Sequence, residues 1–600
     1  MEAVIWQSFF FMISFLALYA GVLLYKKKEE AEIIQALVMD FLAIICWGAM
    51  WAGIFSIAGI PVNIVSIGIV YLLSSAYFWI SIIRNKKVQK YIWNWMDIVI
   101  VLVIAGIVMG VAIHFFSGRL ELRYWTSDAA VHMISATDVV RKQTVSSMYF
   151  APLYNALIME VFQPWFHGIE IYKGFMIADI TMIVLENIIF YVLIKPYFTK
   201  KSHKIMGAVL TLLYFAGYPL HGFIYTFNYW GIGVLLLAFV MEVLRQYFSK
   251  ELEKKYCVFA LMLGCIGVVT SYMMFAPVAF IAVFLCLVYY AKKEEGKIFS
   301  IPNVMLALKV FLVPCMLALY FCYYQFFVGQ ELEIGTALNE QGAIYRQLYM
   351  DFVWMIPLVL YVLIYAIKQK KWKVSLIFFF CYAVFTLAVL VLSQKQKISS
   401  YYYYKMYFPL WLLCFVISAQ GIIQILQKEK EFFYSCAALY AGILLLNVTN
   451  VEQKIVESPA VLQLENASAR VFPLYSENLR YIRLDWSVYQ FNQNILELYQ
   501  YVDDNMSEES KDIPLLVAGD AYPYCYWYMA FTGQDVHEYY GWVYDISEMK
   551  EKIAQGKMDY VVLLYRSTYY SGNQEYWDTY EKVYNNAEGC ILKVSSEETE

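Results

Sequence analysis

Residues 4–28 read VIWQSFFFMISFLALYAGVLLYKKK, an apolar run from Val4 to Tyr25 that is followed at once by three lysines. A run of this length spans a bilayer, because a transmembrane helix needs about 20 predominantly apolar residues. It is not followed by the small-residue cleavage site of a signal peptide. Since lysines collect in the cytoplasm, we expect the N-terminus to lie outside.

The rest of the chain has the same apolar character. Of its 600 residues, 61% are hydrophobic and 16% are charged, whereas soluble domains contain roughly 25% charged residues. The composition therefore predicts an integral membrane protein, with the lipid bilayer as a partner and no nucleic acid partner.

We predict a polytopic α-helical membrane protein with about 14 transmembrane helices. Every loop that this topology leaves inside carries a cluster of Lys or Arg, as expected for cytoplasmic loops. The run 257–291 has basic loops on both sides, so we interpret it as a hairpin that turns near Pro277. The predicted spans cover approximately residues 4–25, 37–60, 62–83, 96–116, 174–194, 205–224, 230–248, 257–273, 275–291, 303–328, 352–367, 374–393, 407–426 and 432–449.

Two domains follow from this pattern. Residues 1–449 form the transmembrane domain, in which outer loop 117–173 contains interfacial helices. Residues 450–600 form a small extracytoplasmic α/β domain, because helical patterning is followed by the strand-like runs IPLLVAG, MDYVVLLY and GCILKVS. Cys525 and Cys590 lie in this domain, and the sequence leaves open whether they pair.

The polar stretch YWTSDAAVHMISATDVVRKQ, residues 124–143, lies in the first long outer loop. A helix from about Asp128 to Arg141 would place Asp128 and His132 on one face, one turn apart. Asp128 also suits a helix N-terminus, and His132 also suits a membrane interface without a chemical role. Asp138 is expected to pair with Arg141 or Lys142.

A single carboxylate at the outer interface fits one class of reaction particularly well. It can remove the proton of an acceptor hydroxyl while a lipid phosphate departs, and a phosphate needs no acid to protonate it. A glycoside hydrolase, in contrast, normally requires a second carboxylic acid. We therefore assign catalytic roles to Asp128 as base and to His132 as the group that orients it.

The other outer loops contain cations for the phosphate. The stretch SQKQKISSYYYYKMYFPLW, residues 393–411, contains Lys395, Lys397 and Lys405, and Arg346 lies in the preceding outer loop. These groups suit a phosphate whose lipid tail lies in the bilayer. Lys405 also suits a snorkelling position at a helix end, and the tyrosines also suit an aromatic belt.

Further polar residues interrupt the apolar segments. His221 and Asn228 lie in the aromatic stretch YPLHGFIYTFNYW, residues 218–230, and Asp179 and Glu186 lie seven residues apart in the fifth span. Carboxylates inside a membrane are rare and are commonly functional. The predicted substrate-binding residues are Lys405, Lys397, Arg346, Tyr404, His221 and Asp179.

This arrangement resembles the GT-C superfamily of integral membrane glycosyltransferases. The resemblance rests on WTSDAAVH in the first outer loop, on YFAPLYNALIMEVF at 149–162 as a second interfacial helix, and on the terminal domain; it covers about residues 96–600. It implies transfer of a sugar from a polyprenyl-phosphate carrier, with Asp128 as the base. The chain has one Asp in place of the paired DD, DE or DxD of many members, so we predict no cofactor and leave a divalent metal open.

The sequence thus predicts an inverting GT-C-type glycosyltransferase of the plasma membrane, which transfers a sugar from a polyprenyl-phosphate donor to a cell-envelope glycan, lipid or protein acceptor at the outer face. Asp128 and Lys405 should then converge on one water-accessible pocket at the outer leaflet. Two alternatives remain. One is a transporter or flippase of a lipid-linked glycan, with Asp179 and Glu186 as its working charges; the other is a glycan polymerase or ligase.

Overall fold

The computed structural model describes residues 2–124, 126–296, 298, 300–323, 351–428, 474–475, 478, 491–506, 513–516, 522–534 and 546–595. Within these residues, twelve helices are long and apolar enough to cross a membrane. The apolar segments form helices because a helix satisfies all its own backbone hydrogen bonds where no water is present. The protein is therefore a multi-pass integral membrane protein.

The membrane domain is built almost entirely from helices. Two short 3₁₀ helices, Gly168–Ile171 and Lys195–Tyr197, flank the seventh α-helix. The α-helices are α1 (Glu2–Leu24), α2 (Ile33–Ala58), α3 (Ile64–Asn85), α4 (Trp95–Phe115), α5 (Asp128–Lys142), α6 (Phe150–Phe162), α7 (Tyr172–Ile194), α8 (Lys201–Ala216), α9 (Tyr218–Ile224), α10 (Asn228–Phe248), α11 (Lys254–Ser271), α12 (Phe275–Glu295), α13 (Ile301–Tyr323), α14 (Ile356–Gln369), α15 (Val374–Gln394), α16 (Ser400–Lys405) and α17 (Tyr407–Lys428).

Twelve of the fourteen predicted spans correspond to candidate membrane helices of the described residues. The predicted span 352–367 corresponds to α14, an apolar helix of 14 residues that is too short to count among the twelve candidate spans. The last predicted span, 432–449, lies outside the described residues. The predicted hairpin 257–291 is formed by α11 and α12, but its turn precedes Pro277, which lies in the first turn of α12.

Hydrogen bonds between loops identify the two ends of the helix bundle. At one end, the Val62 amide donates to the Gln143 carbonyl at 2.7 Å and so joins the α2–α3 loop to the end of α5. We call this the α5 end. At the opposite end, β1 (Glu30–Glu32) pairs in parallel with β2 (Lys90–Ile92), which ties the α1–α2 loop to the α3–α4 loop.

A buried ion network holds the opposite end together. Asp97, fully buried at the start of α4, lies 2.8 Å from the Lys204 ammonium and 3.3 Å from that of Lys195. The Tyr191 hydroxyl donates to Asp97 at 3.0 Å, and Lys195 also pairs with Glu32 at 2.9 Å. Lys195 and Lys204, two lysines of a predicted inner loop, thus join helices at this end of the bundle.

The C-terminal region is a small α/β unit. Its strands form a four-stranded sheet in the order β3-β4-β6-β5, with β3 parallel to β4 and the remaining pairs antiparallel. Cys525 and Cys590 are both buried, and they are not joined by a disulfide. The elements are α18 (Gln493–Met506), β3 (Leu515–Leu516), α19 (Tyr522–Thr532), α20 (Ile546–Ala554), β4 (Tyr560–Leu564), α21 (Thr568–Ser571), α22 (Gln574–Trp577), β5 (Glu581–Asn585) and β6 (Gly589–Lys593).

This unit docks on the α5 end through α19. The Arg141 guanidinium donates to the Phe531 carbonyl at 2.8 Å, and it lies 3.9 Å from the Asp503 carboxylate. The rings of Tyr124 and Trp527 stack with their centroids 5.6 Å apart. Arg141 therefore joins two domains, while Asp138 pairs with Lys142 at 2.8 Å.

Candidate functional site

Asp128 is the first residue of α5. The Thr126 hydroxyl accepts from the Asp128 amide at 3.3 Å and donates to the Tyr225 carbonyl at 3.3 Å. Thr126 thereby joins the start of α5 to the end of α9, and Asp128 itself is half-buried. Burial raises the pKa of Asp128, and the positive charge of Lys405 opposes this increase. The two residues therefore lie within electrostatic reach of each other.

Lys405, the last residue of α16, is buried among aromatic rings. Its ammonium lies over four ring centroids, at 4.0 Å for Tyr401, 4.9 Å for Tyr402, 5.2 Å for Trp230 and 5.3 Å for Tyr272. Cation–π attraction stabilises a charge that burial would otherwise penalise. We call Lys405 and these four rings the lysine cage.

Tyr404 and His221 support the lysine cage from inside the bundle. His221 is fully buried on α9, and its Nε2 lies 2.8 Å from the Tyr404 hydroxyl. The Tyr404 ring also packs against Trp230, with 5.8 Å between centroids. Because Tyr404 directly precedes Lys405, this hydrogen bond fixes the position of α16 relative to α9.

His132 lies one turn after Asp128, at the edge of the same region. It is half-buried, its ring centroid lies 4.7 Å from that of Tyr229, and it hydrogen-bonds to the Thr226 backbone. Burial lowers the pKa of His132 to about 4, although the Thr226 contact opposes this effect. His132 is therefore neutral at pH 7.

Thr226 has an unusual backbone conformation. Its φ of 61° lies in the left-handed region, which a β-branched residue adopts only under strain. Within the described part of the chain, its buried hydroxyl has no hydrogen-bond partner. The loop that links α9 to α10 is thus held in a strained form where it meets Asp128 and His132.

The two intramembrane carboxylates of α7 line a small cavity. Asp179 and Glu186 both face about 30 Å³ of free space, together with Tyr218, which is room for about one water molecule. The Tyr124 hydroxyl donates to Asp179 at 3.0 Å, and the Tyr214 hydroxyl donates to Glu186 at 2.9 Å. Through Tyr124 and its partner ring Trp527, Asp179 is also connected to the C-terminal domain.

The remaining predicted residues are less closely associated with the lysine cage. Lys395 and Lys397 are exposed in the loop between α15 and α16. Asn228 begins α10, and Arg346 lies outside the described residues. The structure thus brings Asp128, Lys405, Tyr404, His221 and His132 to one end of the bundle.

The sequence did not single out two members of this region, Trp230 and Tyr272. Trp230 lies in the aromatic stretch at 218–230, but an aromatic belt accounts for that stretch equally well. Tyr272, between α11 and α12, had no signal, because its role depends on the packing of helices that are distant in sequence.

Comparison with known protein families and with curated proteins finds no match to this chain. Among the described residues, no group of three or more His, Cys, Asp or Glu side chains lies close enough together to hold a metal ion.

Proposed function

We propose that this protein is a membrane glycosyltransferase that moves a sugar from a polyprenyl-phosphate donor to a cell-envelope acceptor. The proposal rests mainly on one observation: the half-buried Asp128 carboxylate and the buried, ring-enclosed Lys405 ammonium lie at the same end of the bundle, within electrostatic reach of each other. A half-buried carboxylate beside a buried cation provides a proton acceptor and an anion-stabilising group within one site.

The proposed reaction is a single displacement. The acceptor hydroxyl oxygen attacks the anomeric carbon, the bond from that carbon to the phosphate oxygen breaks, and the phosphate leaves with the bonding electrons. Asp128 takes the hydroxyl proton, a role typically worth about 10²- to 10⁴-fold in rate. Attack from the side opposite the phosphate inverts the anomeric centre.

The surrounding residues have supporting roles in this proposal. Lys405, with Lys397 and Arg346, holds the phosphate through charge-assisted hydrogen bonds. Tyr404 and His221 position Lys405, and the rings of the lysine cage offer faces for the sugar or the lipid. His132, neutral at pH 7, orients Asp128 without adding charge. Asp179 keeps its predicted substrate-binding role, and the Tyr124 hydroxyl, which donates to it, holds its carboxylate in place.

The distribution of basic residues supports an orientation for this site. The predicted inner loops with their Lys and Arg clusters are at the opposite end of the bundle, so the α5 end is proposed to face outward. The C-terminal domain docks on the same end and would be extracytoplasmic. A site at the outer leaflet of the plasma membrane has access to envelope acceptors.

The experiment uses native membranes that contain the full chain and a panel of polyprenyl-phosphate monosaccharides. Formation of glycosylated product and release of polyprenyl phosphate are both measured. We expect activity with at least one donor, and we expect Asp128→Asn to abolish it while the protein remains in the membrane. Asp138→Asn, on the same helix, is the control and should retain activity.

Full transfer by Asp128→Asn would reject the role of Asp128. Activity only with a diphosphate-linked oligosaccharide donor would instead identify a polymerase or ligase.

The cavity between Asp179 and Glu186 favours one second candidate, a transporter or flippase of a lipid-linked glycan. In that case the two carboxylates of α7 would be the working charges. Translocation that requires Glu186 and does not require Asp128 would support this candidate over the transferase.

A further inference from the structure

A larger concave region lies at the opposite end of the bundle, far from Asp128. The part nearest this end of the bundle has a volume of about 390 Å³. Its lining includes the polar residues Lys250, Lys254, Glu294 and Asn303. The stacked rings of Phe248 and Tyr290, 3.6 Å between centroids, form one wall.

The region continues toward the bilayer centre as an apolar channel. This apolar part has a volume of about 430 Å³ and is lined mainly by apolar side chains of α12 and α13, such as Phe284, Phe311 and Leu312. The two parts are adjacent, because Leu287, Ala291, Asn303 and Leu306 line both. We call the two parts together the α12–α13 groove.

The length of the groove matches one leaflet of a membrane. Its lining on α13 extends from Asn303 to Cys315, which is about 18 Å at a rise of 1.5 Å per residue. Half of a typical hydrocarbon core is about 15 Å. An occupant with a polar group near Asn303 and a chain beside Phe311 would therefore lie at the depth of a lipid in that leaflet.

The mouth of the groove carries more positive than negative charge. Lys250 pairs with Glu294 at 3.4 Å, while Lys254 lies over the Tyr247 ring at 5.8 Å. Lys293 approaches the same mouth, 5.7 Å from the centroid of Tyr290. Among the described lining residues, two lysines, Lys250 and Lys254, face one carboxylate, Glu294, which favours an anionic head group.

We propose that the α12–α13 groove binds an anionic glycerophospholipid of the leaflet at the opposite end. Its phosphate lies between Lys250 and Lys254, and one acyl chain lies along Phe284 and Phe311. Both volumes are in the range of small-molecule binding sites. This site does not depend on the proposed sugar transfer, because it shares no residue with the lysine cage.

Native mass spectrometry of the delipidated full chain in detergent tests this proposal with two probes, phosphatidylglycerol and phosphatidylcholine. We expect retention of phosphatidylglycerol over phosphatidylcholine. Lys250→Gln and Lys254→Gln should each lower that retention about fivefold, the size expected for one cation near an anionic lipid. Lys255→Gln is the control, since Lys255 neighbours Lys254 without lining the groove.

A second pair of variants tests the apolar part. Ala307→Trp places a large side chain in the groove and should reduce retention of phosphatidylglycerol, whereas Met305→Trp, on an exposed face of α13, should not. Equal retention of both lipids, or unchanged retention in both lysine variants, would overturn the proposal. So would a change of oligomeric state in Ala307→Trp without loss of lipid, which would identify the groove as a contact between copies. Lipid retention by Asp128→Asn should equal that of the wild type whether or not the transferase proposal holds.

Discussion

Asp128 and Lys405 lie within electrostatic reach of each other at the α5 end, although they come from two helices far apart in the chain. Neither charge is fully solvated, because Asp128 is half-buried and Lys405 is enclosed by four aromatic rings. Burial raises the pKa of Asp128, and Lys405 opposes this increase, so the lysine favours the ionised carboxylate that a base requires.

Replacement of Lys405 by Met should therefore raise the pKa of Asp128. A base acts only when it is ionised, so the acidic limb of the kcat/KM profile should move to higher pH. Infrared titration of the carboxyl band that Asp128→Asn removes measures the same change without requiring activity. Lys395→Met, at an exposed position, is the control. An unchanged carboxyl titration in Lys405→Met would contradict the contact.

The lowered pKa of His132 should also make the stability of the protein depend on pH. Burial lowers its folded-state pKa from 6.5 to about 4, so between these values the unfolded chain binds more protons than the folded one. The free energy of unfolding should then fall as pH decreases from 6.5 to 4. His132→Gln, which removes this titration, should show a smaller decrease in apparent Tm across that window.

The exposed His114→Gln serves as the control for this measurement and should follow the wild type. Identical slopes of apparent Tm against pH in His132→Gln and the wild type would show that His132 is not the group responsible.

The sequence predicted the parts of this structure that depend on local pattern. The lengths of the apolar segments located the twelve candidate membrane helices of the described residues, and the predicted helix from Asp128 to Arg141 is α5, Asp128–Lys142. Features that depend on packing were missed. The position of Tyr272 beside Lys405 requires the α11–α12 turn to approach α16, and no local pattern encodes that approach.

Charges were also difficult to interpret from sequence alone. Lys195 and Lys204 belong to a predicted basic inner loop, yet in the structure both contact the buried Asp97. Asp138 makes one of its two predicted pairings, with Lys142, while Arg141 reaches the C-terminal domain, because the docking of α19 brings the Phe531 carbonyl within hydrogen-bond distance. A long cation can reach several partners, and only tertiary structure determines which one it contacts.

Because Gly217 lies close to Trp411, replacing this glycine should lower the stability of the protein. A Cβ at position 217 would overlap the Trp411 ring, which is fully buried and donates to the Tyr214 carbonyl at 3.1 Å. Gly217→Ala should lower stability by about 1–3 kcal/mol, as overpacking does, and should displace His221 on the adjacent α9. Apparent Tm in detergent measures the effect.

Gly110→Ala on α4 is the matched control, because a Cβ there would meet no atom within 4 Å. It should leave stability unchanged or increase it, since Ala favours a helix over Gly. Equal apparent Tm values for Gly217→Ala and Gly110→Ala would contradict the close packing at Trp411.

The variant Glu186→Gln distinguishes the proposed transferase function from the transporter function. Glutamine keeps an oxygen that can accept from the Tyr214 hydroxyl, so the bundle should fold normally and only the ionisable group is lost. Under the transferase proposal, Glu186→Gln should transfer sugar at close to the wild-type rate, because Glu186 lies deeper in the membrane than the proposed site. Proteoliposomes with a fluorescent lipid-linked glycan and an impermeant quencher measure translocation in the same preparations. Loss of translocation in Glu186→Gln, with normal translocation in Asp128→Asn, would favour a transporter, because the acidic cavity of α7 and not the lysine cage would then carry the function.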